Sequence, residues 1–78
     1  MKRVLVKFIS IYAEKMGREK ILEIDDNTTI EKLREIIVRE LGEVSVKPLI
    51  FVNYRFPREG QIINDGDEIL VVPPFAGG

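Results

Sequence analysis

The residues with the clearest chemical potential are the last six, from Pro73 to Gly78, which read PPFAGG. Glycines have no Cβ atom and can pass through a narrow channel, while two prolines stiffen the chain where the tail begins. When extended, six residues reach about 20 Å. We expect Gly78 to present a terminal carboxylate as the reactive group of the chain. The rest of the tail is expected to occupy a channel in a partner protein: Pro73, Pro74, Phe75, Ala76 and Gly77.

A carboxylate is a poor acyl donor and must first be activated, for example by attack on the α-phosphate of ATP to form an acyl-adenylate. The sequence contains neither a P-loop nor a G-x-G-x-x-G motif, so a partner must bind the nucleotide. We therefore predict that this chain binds no cofactor and that ATP is used by the activating partner. Because His and Cys are absent, imidazole catalysis, thiol chemistry and the usual zinc sites are excluded. Asp65-Gly66-Asp67 is expected to form a turn, and no metal site is predicted.

Length and composition predict one small globular domain. The chain has 78 residues, of which 45% are hydrophobic and 32% are charged. The 12 positive and 13 negative side chains give a net charge of −1, which argues against nucleic acid as a partner. No apolar run approaches the length of a membrane span, and Lys7 interrupts the apolar stretch near the N-terminus. We therefore predict no membrane partner and a cytoplasmic location.

Four segments have the pattern of strands. Alternating or β-branched apolar residues run from Val4 to Ile11 and from Lys20 to Asp25, and this pair is expected to form a hairpin with a turn at Gly17. Two short apolar runs, over 49–52 and 69–72, are typical of internal strands.

One helix is predicted between the second and third strands. Apolar residues recur at helical spacing over 29–41. Thr28 and Glu31 have the spacing of a capping box, so the helix is expected to begin there, and Gly42 is expected to end it.

The order of these elements predicts an α+β fold in which a mixed sheet of four to five strands packs against one main helix. A tight turn is expected at Asn53-Tyr54-Arg55, and residues 57–64 are expected to be irregular. Residues 1–72 are predicted to form the domain, and residues 73–78 a flexible tail that ends in Gly-Gly.

A sheet with a single helix leaves its other face open. Phe8, Leu70 and Val72 are expected to supply an apolar docking patch on that face. Phe75 either anchors the tail in a partner's pocket or folds back onto the sheet of its own domain. Two further aromatic residues belong either to an interface or to the edge of the core: Tyr54 and Phe56.

The terminal motif and its context resemble the small subunit of molybdopterin synthase, a family of ubiquitin-like β-grasp sulfur carriers. The resemblance covers the whole chain and includes IFVN at 50–53, NDGDEI at 64–69 and VVPPFAGG at 71–78. The chain departs from the family at Asn53-Tyr54, where Asn-Gly is common, and at Phe75-Ala76, where a small or β-branched residue followed by Ser or Thr is usual.

This resemblance implies a non-enzymatic carrier. An E1-like enzyme would adenylate Gly78, and a sulfur donor would convert it to a thiocarboxylate. The large synthase subunit would then take the tail into its active site, where the sulfur passes to a pterin precursor of the molybdenum cofactor.

Other functions share the same tail. An adenylated tail could be joined to lysines of target proteins, as in archaeal small modifiers that resemble ubiquitin. A thiocarboxylate could also serve tRNA thiolation, thiamine synthesis or cysteine synthesis. A β-grasp binding module that undergoes no chemistry is a third possibility, in which the glycines are incidental.

Overall fold

A computed structural model describes residues 1–42 and 47–75 as a four-stranded mixed sheet with one long helix packed across one face. The structure thus confirms the predicted α+β class. The elements, in chain order, are β1 (Lys2–Phe8), α1 (Ile11–Met16), β2 (Glu19–Ile24), α2 (Ile30–Leu41), β3 (Leu49–Val52) and β4 (Glu68–Val72).

The strand order is β2-β1-β4-β3, so the first and last strands lie side by side in the middle of the sheet. β1 and β2 are antiparallel, as predicted, with Val4 opposite Leu22. β1 and β4 are parallel, with Val6 opposite Ile69, and β3 pairs antiparallel with β4. The strand that leads into the tail is therefore held on both sides.

The prediction that the first strand reaches Ile11 is wrong. β1 ends at Phe8, and Ser10 has a φ of 58°, which breaks the extended chain before α1 begins. This six-residue helix carries Tyr12 into the core, where the side chain is 2% exposed. Gly17 follows with a φ of 86°, as expected of a turn glycine. The β-branched run suggested a longer strand, but burial of Tyr12 favours a helical turn.

The helix α2 begins one residue later than the capping-box spacing indicated. Its N-cap is Thr29, whose hydroxyl accepts a hydrogen bond from the Lys32 N–H at 3.2 Å. The Thr28 hydroxyl instead donates to the Asp25 carbonyl at 2.8 Å. Gly42 ends the helix as predicted, with a φ of 76° and its N–H directed to the carbonyls of Val38 and Arg39.

The core lies between α2 and one face of the sheet. Each strand contributes alternate residues to it, and α2 contributes a stripe at helical spacing. The buried apolar residues are Val4, Val6, Phe8, Tyr12, Ile24, Ile30, Leu33, Ile37, Leu41, Ile50, Val52, Ile63, Ile69 and Val71.

The long connection from β3 to β4 has no strand of its own, as predicted for residues 57–64, but it is tied to the start of α2. The Ile30 N–H donates to the Gln61 carbonyl at 2.8 Å, and the Ile63 N–H donates to the Thr28 carbonyl at 2.9 Å. These bonds insert Ile63 fully into the core. Across the described ranges, no helix is long and apolar enough to cross a membrane.

Candidate functional site: the open sheet face and the tail exit

The tail leaves the molecule from the end of β4. Near this end, the Ile9 N–H donates to the Val71 carbonyl at 3.0 Å, and Leu49 of β3 lies opposite Val72. Pro73 is buried and Pro74 is exposed, and neither has an N–H to continue the ladder. The predictions for Ala76, Gly77 and Gly78, including the flexible tail, concern residues outside the described ranges.

Phe75 is the last described residue, and its side chain is 49% exposed. It is not a member of the buried core cluster. Half of its surface is therefore available for contact with another molecule, as an anchoring role would require.

The sheet face opposite α2 carries an apolar surface, which we call the open-face patch: Leu49, Phe51, Phe56, Leu70 and Val72. In β4 the even-numbered residues face this side, because Ile69 and Val71 are buried in the core. Phe51 lies opposite Leu70, and Leu49 lies opposite Val72. The ring of Phe56 joins them, with its centroid 4.6 Å from that of Phe51. The patch thus follows β4 to the point where the tail begins.

Phe8 does not belong to this patch, and its predicted place there is wrong. Its side chain is 4% exposed and lies on the helix-covered face with Val4 and Val6. The period of two along β1 requires this, since residues 4, 6 and 8 share one face. Leu70 and Val72 do face the open side and are half-buried, so the structure brings two of the three predicted residues together.

A polar cluster borders the patch. The Tyr54 hydroxyl donates to Oε2 of Glu68 at 2.8 Å and accepts from Nζ of Lys7 at 3.1 Å. Lys7 and Glu68 also form an ion pair, with 3.3 Å between Nζ and Oε2. The pKa of Glu68 is lowered, most strongly by the hydrogen bond from Tyr54 and next by the one from Lys7. The pKa of Lys7 is raised, most strongly by its hydrogen bond to Tyr54 and next by its hydrogen bond to Glu68. Both side chains therefore stay charged at neutral pH, and the cluster carries no net charge.

The turn that presents Tyr54 is tight despite the departure from Asn-Gly. Val52 and Arg55 exchange two backbone hydrogen bonds across it, at 2.9 and 3.1 Å. Asn53 and Tyr54 both have positive φ, 52° and 65°, which is the geometry of a type I′ turn. The turn predicted at Asn53-Tyr54-Arg55 is confirmed.

The predicted turn at Asp65-Gly66-Asp67 is also present, with a φ of 84° at Gly66. The buried Asp67 carboxylate accepts from Nδ2 of Asn53 at 2.9 Å and from the Asn64 N–H at 2.8 Å. These bonds join the two turns at one end of the sheet. Among the described residues, no group of three or more acidic, His or Cys side chains is placed to hold a metal.

Sequence reasoning missed Lys7, Glu68, Leu49 and Phe51 as neighbours of Leu70. For Lys7 and Glu68, a signal was available, because charged residues within apolar strands mark the face away from the core. For Leu49 and Phe51 there was none, because every residue of β3 is apolar and the sequence does not show which residues face α2.

Comparison with solved structures defines the class. Small archaeal modifier protein 1 of Haloferax volcanii superposes on this chain with a TM-score of 0.77 at 20% identity. The match covers 96% of this chain and 100% of that protein. A Pyrococcus furiosus protein assigned as molybdopterin converting factor subunit 1 superposes with a TM-score of 0.78 at 24% identity, over 96% of this chain and 100% of that protein. The third similar structure is a chain from the complex of subunits 1 and 2 of molybdopterin-converting factor from Helicobacter pylori. It superposes with a TM-score of 0.68 at 24% identity, over 97% of this chain and 99% of that chain. The protein therefore has the ubiquitin-like β-grasp fold.

Comparison of the sequence with models of protein families identifies the family. The model of the ThiS family matches residues 6–78, so the chain belongs to the ThiS family. This membership confirms the resemblance to the ubiquitin-like β-grasp sulfur carriers. No significant match was found among curated protein sequences.

Proposed function

We propose that the protein is a sulfur carrier in which residues 1–72 form the recognition domain and residues 73–78 form the reactive tail. The observation that carries this proposal is the ThiS-family match, which runs through Gly77 and Gly78. The tail leaves from β4 beside an exposed apolar patch, so one partner can bind the patch and receive the tail.

The proposed chemistry takes place in an E1-like adenylating enzyme. The Gly78 carboxylate attacks the α-phosphorus of ATP and releases pyrophosphate, which leaves an acyl-adenylate. A sulfur donor at the oxidation level of hydrosulfide then attacks the acyl carbon and displaces AMP. The product is a thiocarboxylate at Gly78, and the chain itself supplies only the tail and the docking surface.

The proposed acceptor is a pterin precursor of the molybdenum cofactor, bound by a large synthase subunit. Support comes from the Helicobacter pylori relative, which forms a complex with subunit 2 of molybdopterin-converting factor. The open-face patch offers this chain a surface for such a complex.

A second acceptor is favoured by the similarity to small archaeal modifier protein 1. In that function the adenylated Gly78 is joined to the amino group of a lysine in a target protein. The product distinguishes the two functions, since a free thiocarboxylate indicates a carrier and an isopeptide-linked ladder indicates a modifier.

The test is the intact mass of the chain after incubation with an E1-like enzyme, ATP and a sulfur donor. We expect the mass gain of one sulfur replacing one oxygen. A variant extended by one residue beyond Gly78 should fold normally but show no gain, because its carboxylate is displaced from the reacting position. Deletion of Gly77 and Gly78 should also abolish the gain. An unchanged wild-type mass, with an enzyme that is active on another carrier, would contradict the proposal.

A further inference from the structure

A surface groove, which we call the loop groove, lies between the turn that follows β3 and the loop that packs on the start of α2. It has a volume of about 830 Å³. The residues that line it include Arg55, Phe56, Arg58, Glu59, Gln61 and Ile62. β3 runs antiparallel to β4, and its last residue, Val52, lies opposite Ile69 near the start of β4. The loop groove is therefore at the end of the sheet away from the tail exit.

Backbone hydrogen bonds hold both walls of the loop groove in place. On one side, Val52 and Arg55 exchange two bonds, at 2.9 and 3.1 Å. On the other side, the Arg58 N–H donates to Oε1 of Gln61 at 2.9 Å, and the Gln61 N–H donates to the Arg58 carbonyl at 3.1 Å. The Gln61 carbonyl in turn accepts the Ile30 N–H of α2 at 2.8 Å. The groove is thus formed before any partner binds, which lowers the entropy cost of binding.

The two arginines of the loop groove have charges that the described part of the chain does not neutralise. Neither Arg55 nor Arg58 forms an ion pair with any residue in the described ranges, whereas Arg3, Lys7 and Lys20 each pair with a glutamate. Glu59 is the one carboxylate among the described residues that line the groove. The groove is therefore locally positive on a chain whose net charge is −1, and it is complementary to an anionic partner.

The same groove also presents apolar surface. The Phe56 side chain is 71% exposed and that of Ile62 is 44% exposed, and both line the groove together with the arginines. Arginine and aromatic side chains are enriched at the centres of protein interfaces, and the planar guanidinium group binds carboxylates through two parallel hydrogen bonds. The groove therefore fits a partner that combines carboxylates with an apolar side chain.

We propose that the loop groove binds an acidic, extended segment of a partner protein. Carboxylates of that segment accept hydrogen bonds from Arg55 and Arg58, and an apolar side chain between them packs against Phe56 and Ile62. A protein segment fits better than a small anion, because the groove is lined mainly by exposed residues and would leave much of a small ligand in water. A nucleic acid would require a wider basic surface than two arginines on an acidic chain. This binding site lies apart from the tail and goes beyond the proposed function.

The test uses two synthetic peptides with blocked ends, one of alternating glutamate and leucine and the other of alternating glutamine and leucine. Each is titrated into the full chain, and the backbone amide shifts are followed by NMR. We expect the glutamate peptide to shift residues 55–64 most strongly, and added salt to weaken its binding. The glutamine peptide should bind at least about fivefold more weakly, because it lacks the charges that pair with the arginines.

The variant for this test is Arg55→Gln with Arg58→Gln, and its matched control is Arg18→Gln with Arg39→Gln. Both double changes remove two positive charges from exposed side chains, so they alter the net charge equally. We expect the first to raise the Kd for the glutamate peptide by about fivefold or more, and the second to leave it nearly unchanged. Deletion of Gly77 and Gly78 should not change this Kd, so the result is independent of the tail chemistry.

Several outcomes would overturn the inference. Equal weakening by both double variants would mean that only the overall charge matters. Equal binding of the two peptides to the wild type, or shifts centred outside residues 55–64, would exclude recognition of carboxylates in this groove, and neither result depends on how the variants fold. Inorganic phosphate or a single-stranded oligonucleotide that shifts the same residues at lower concentration than the glutamate peptide would show that the groove binds a different class of ligand.

Discussion

Glu31 connects two parts of the chain that are far apart in sequence. It lies in the first turn of α2, and its Oε2 accepts the N–H of Gly60 at 2.9 Å. The pKa of the Glu31 carboxyl is lowered below its ordinary value of 4.5. The hydrogen bond from Gly60 is the largest cause, and a hydrogen bond from the backbone N–H of Glu31 itself is the second. The ionised carboxylate therefore holds the loop between β3 and β4 against the start of the helix.

The sign of the resulting pH dependence follows from this shift. A pKa that is lower in the folded state than in the unfolded state contributes stability above the unfolded pKa, and this stability is lost as the pH falls through the folded pKa. We expect NMR titration to give Glu31 a pKa below 4.5. Glu31→Gln should be less stable at neutral pH and should lose less stability on acidification than the wild type.

Glu35→Gln is the matched control for this prediction. Glu35 lies on the same helix, but its carboxylate forms an exposed ion pair with Lys32 at 3.8 Å, and such pairs contribute little. A Glu31 carboxyl that titrates at or above 4.5, or two variants with the same pH dependence, would contradict the role of the Gly60 hydrogen bond.

At the scale of the elements, the cap of α2 is a direct test of where the helix begins. Thr29→Ala removes the hydroxyl that accepts the Lys32 N–H, so we expect a loss of about 1 kcal/mol in the free energy of unfolding. Thr29→Ser keeps an acceptor at the same position and should recover most of that loss. Urea denaturation of the three proteins makes the comparison, and a Thr29→Ala variant as stable as the wild type would argue against this cap.

The sequence predicted well those elements that have a long apolar pattern or a glycine or capping residue at their ends. The helix over 29–41 was predicted closely because its apolar stripe spans three turns and Gly42 marks its end. The short helix α1 was missed because six residues give little periodicity and Ile9 and Ile11 favour a strand locally. The choice between Thr28 and Thr29 depends on which hydroxyl reaches an N–H, and either spacing is compatible with the sequence.

For the candidate site, the sequence indicated the tail and the existence of an open face, but not all the residues on that face. The alternation of Val4, Val6 and Phe8 was sufficient to place Phe8 in the core. In β4, where Ile69 to Val72 are all apolar, the assignment of faces depends on how the strand sits against α2, and this is a property of the tertiary structure. The sequence also does not show that Tyr54 has a positive φ, because the tight turn imposes this conformation.

At the scale of the whole molecule, the two faces of one thin sheet have separate roles. One face packs against α2 and holds the chain together without disulfides, since the sequence has no cysteine. The other face carries the open-face patch and leads to the tail through β4. Because residues alternate along each strand, neighbouring positions in β1 and β4 affect folding and docking independently.

This separation predicts opposite results for Phe8→Ala and Leu70→Gln. Phe8 is 4% exposed, so its truncation should lower the free energy of unfolding by about 3–5 kcal/mol, a large part of the stability of a small domain. Its binding to the adenylating enzyme should recover when corrected for the folded fraction. Leu70 is half-buried on the open face, so Leu70→Gln should change the Tm little but raise the Kd even for fully folded protein. Calorimetry and binding measured on the same samples separate the two effects. A Leu70→Gln variant that binds normally, or a Phe8→Ala variant that folds normally and binds weakly, would mean that the docking surface is not the open face.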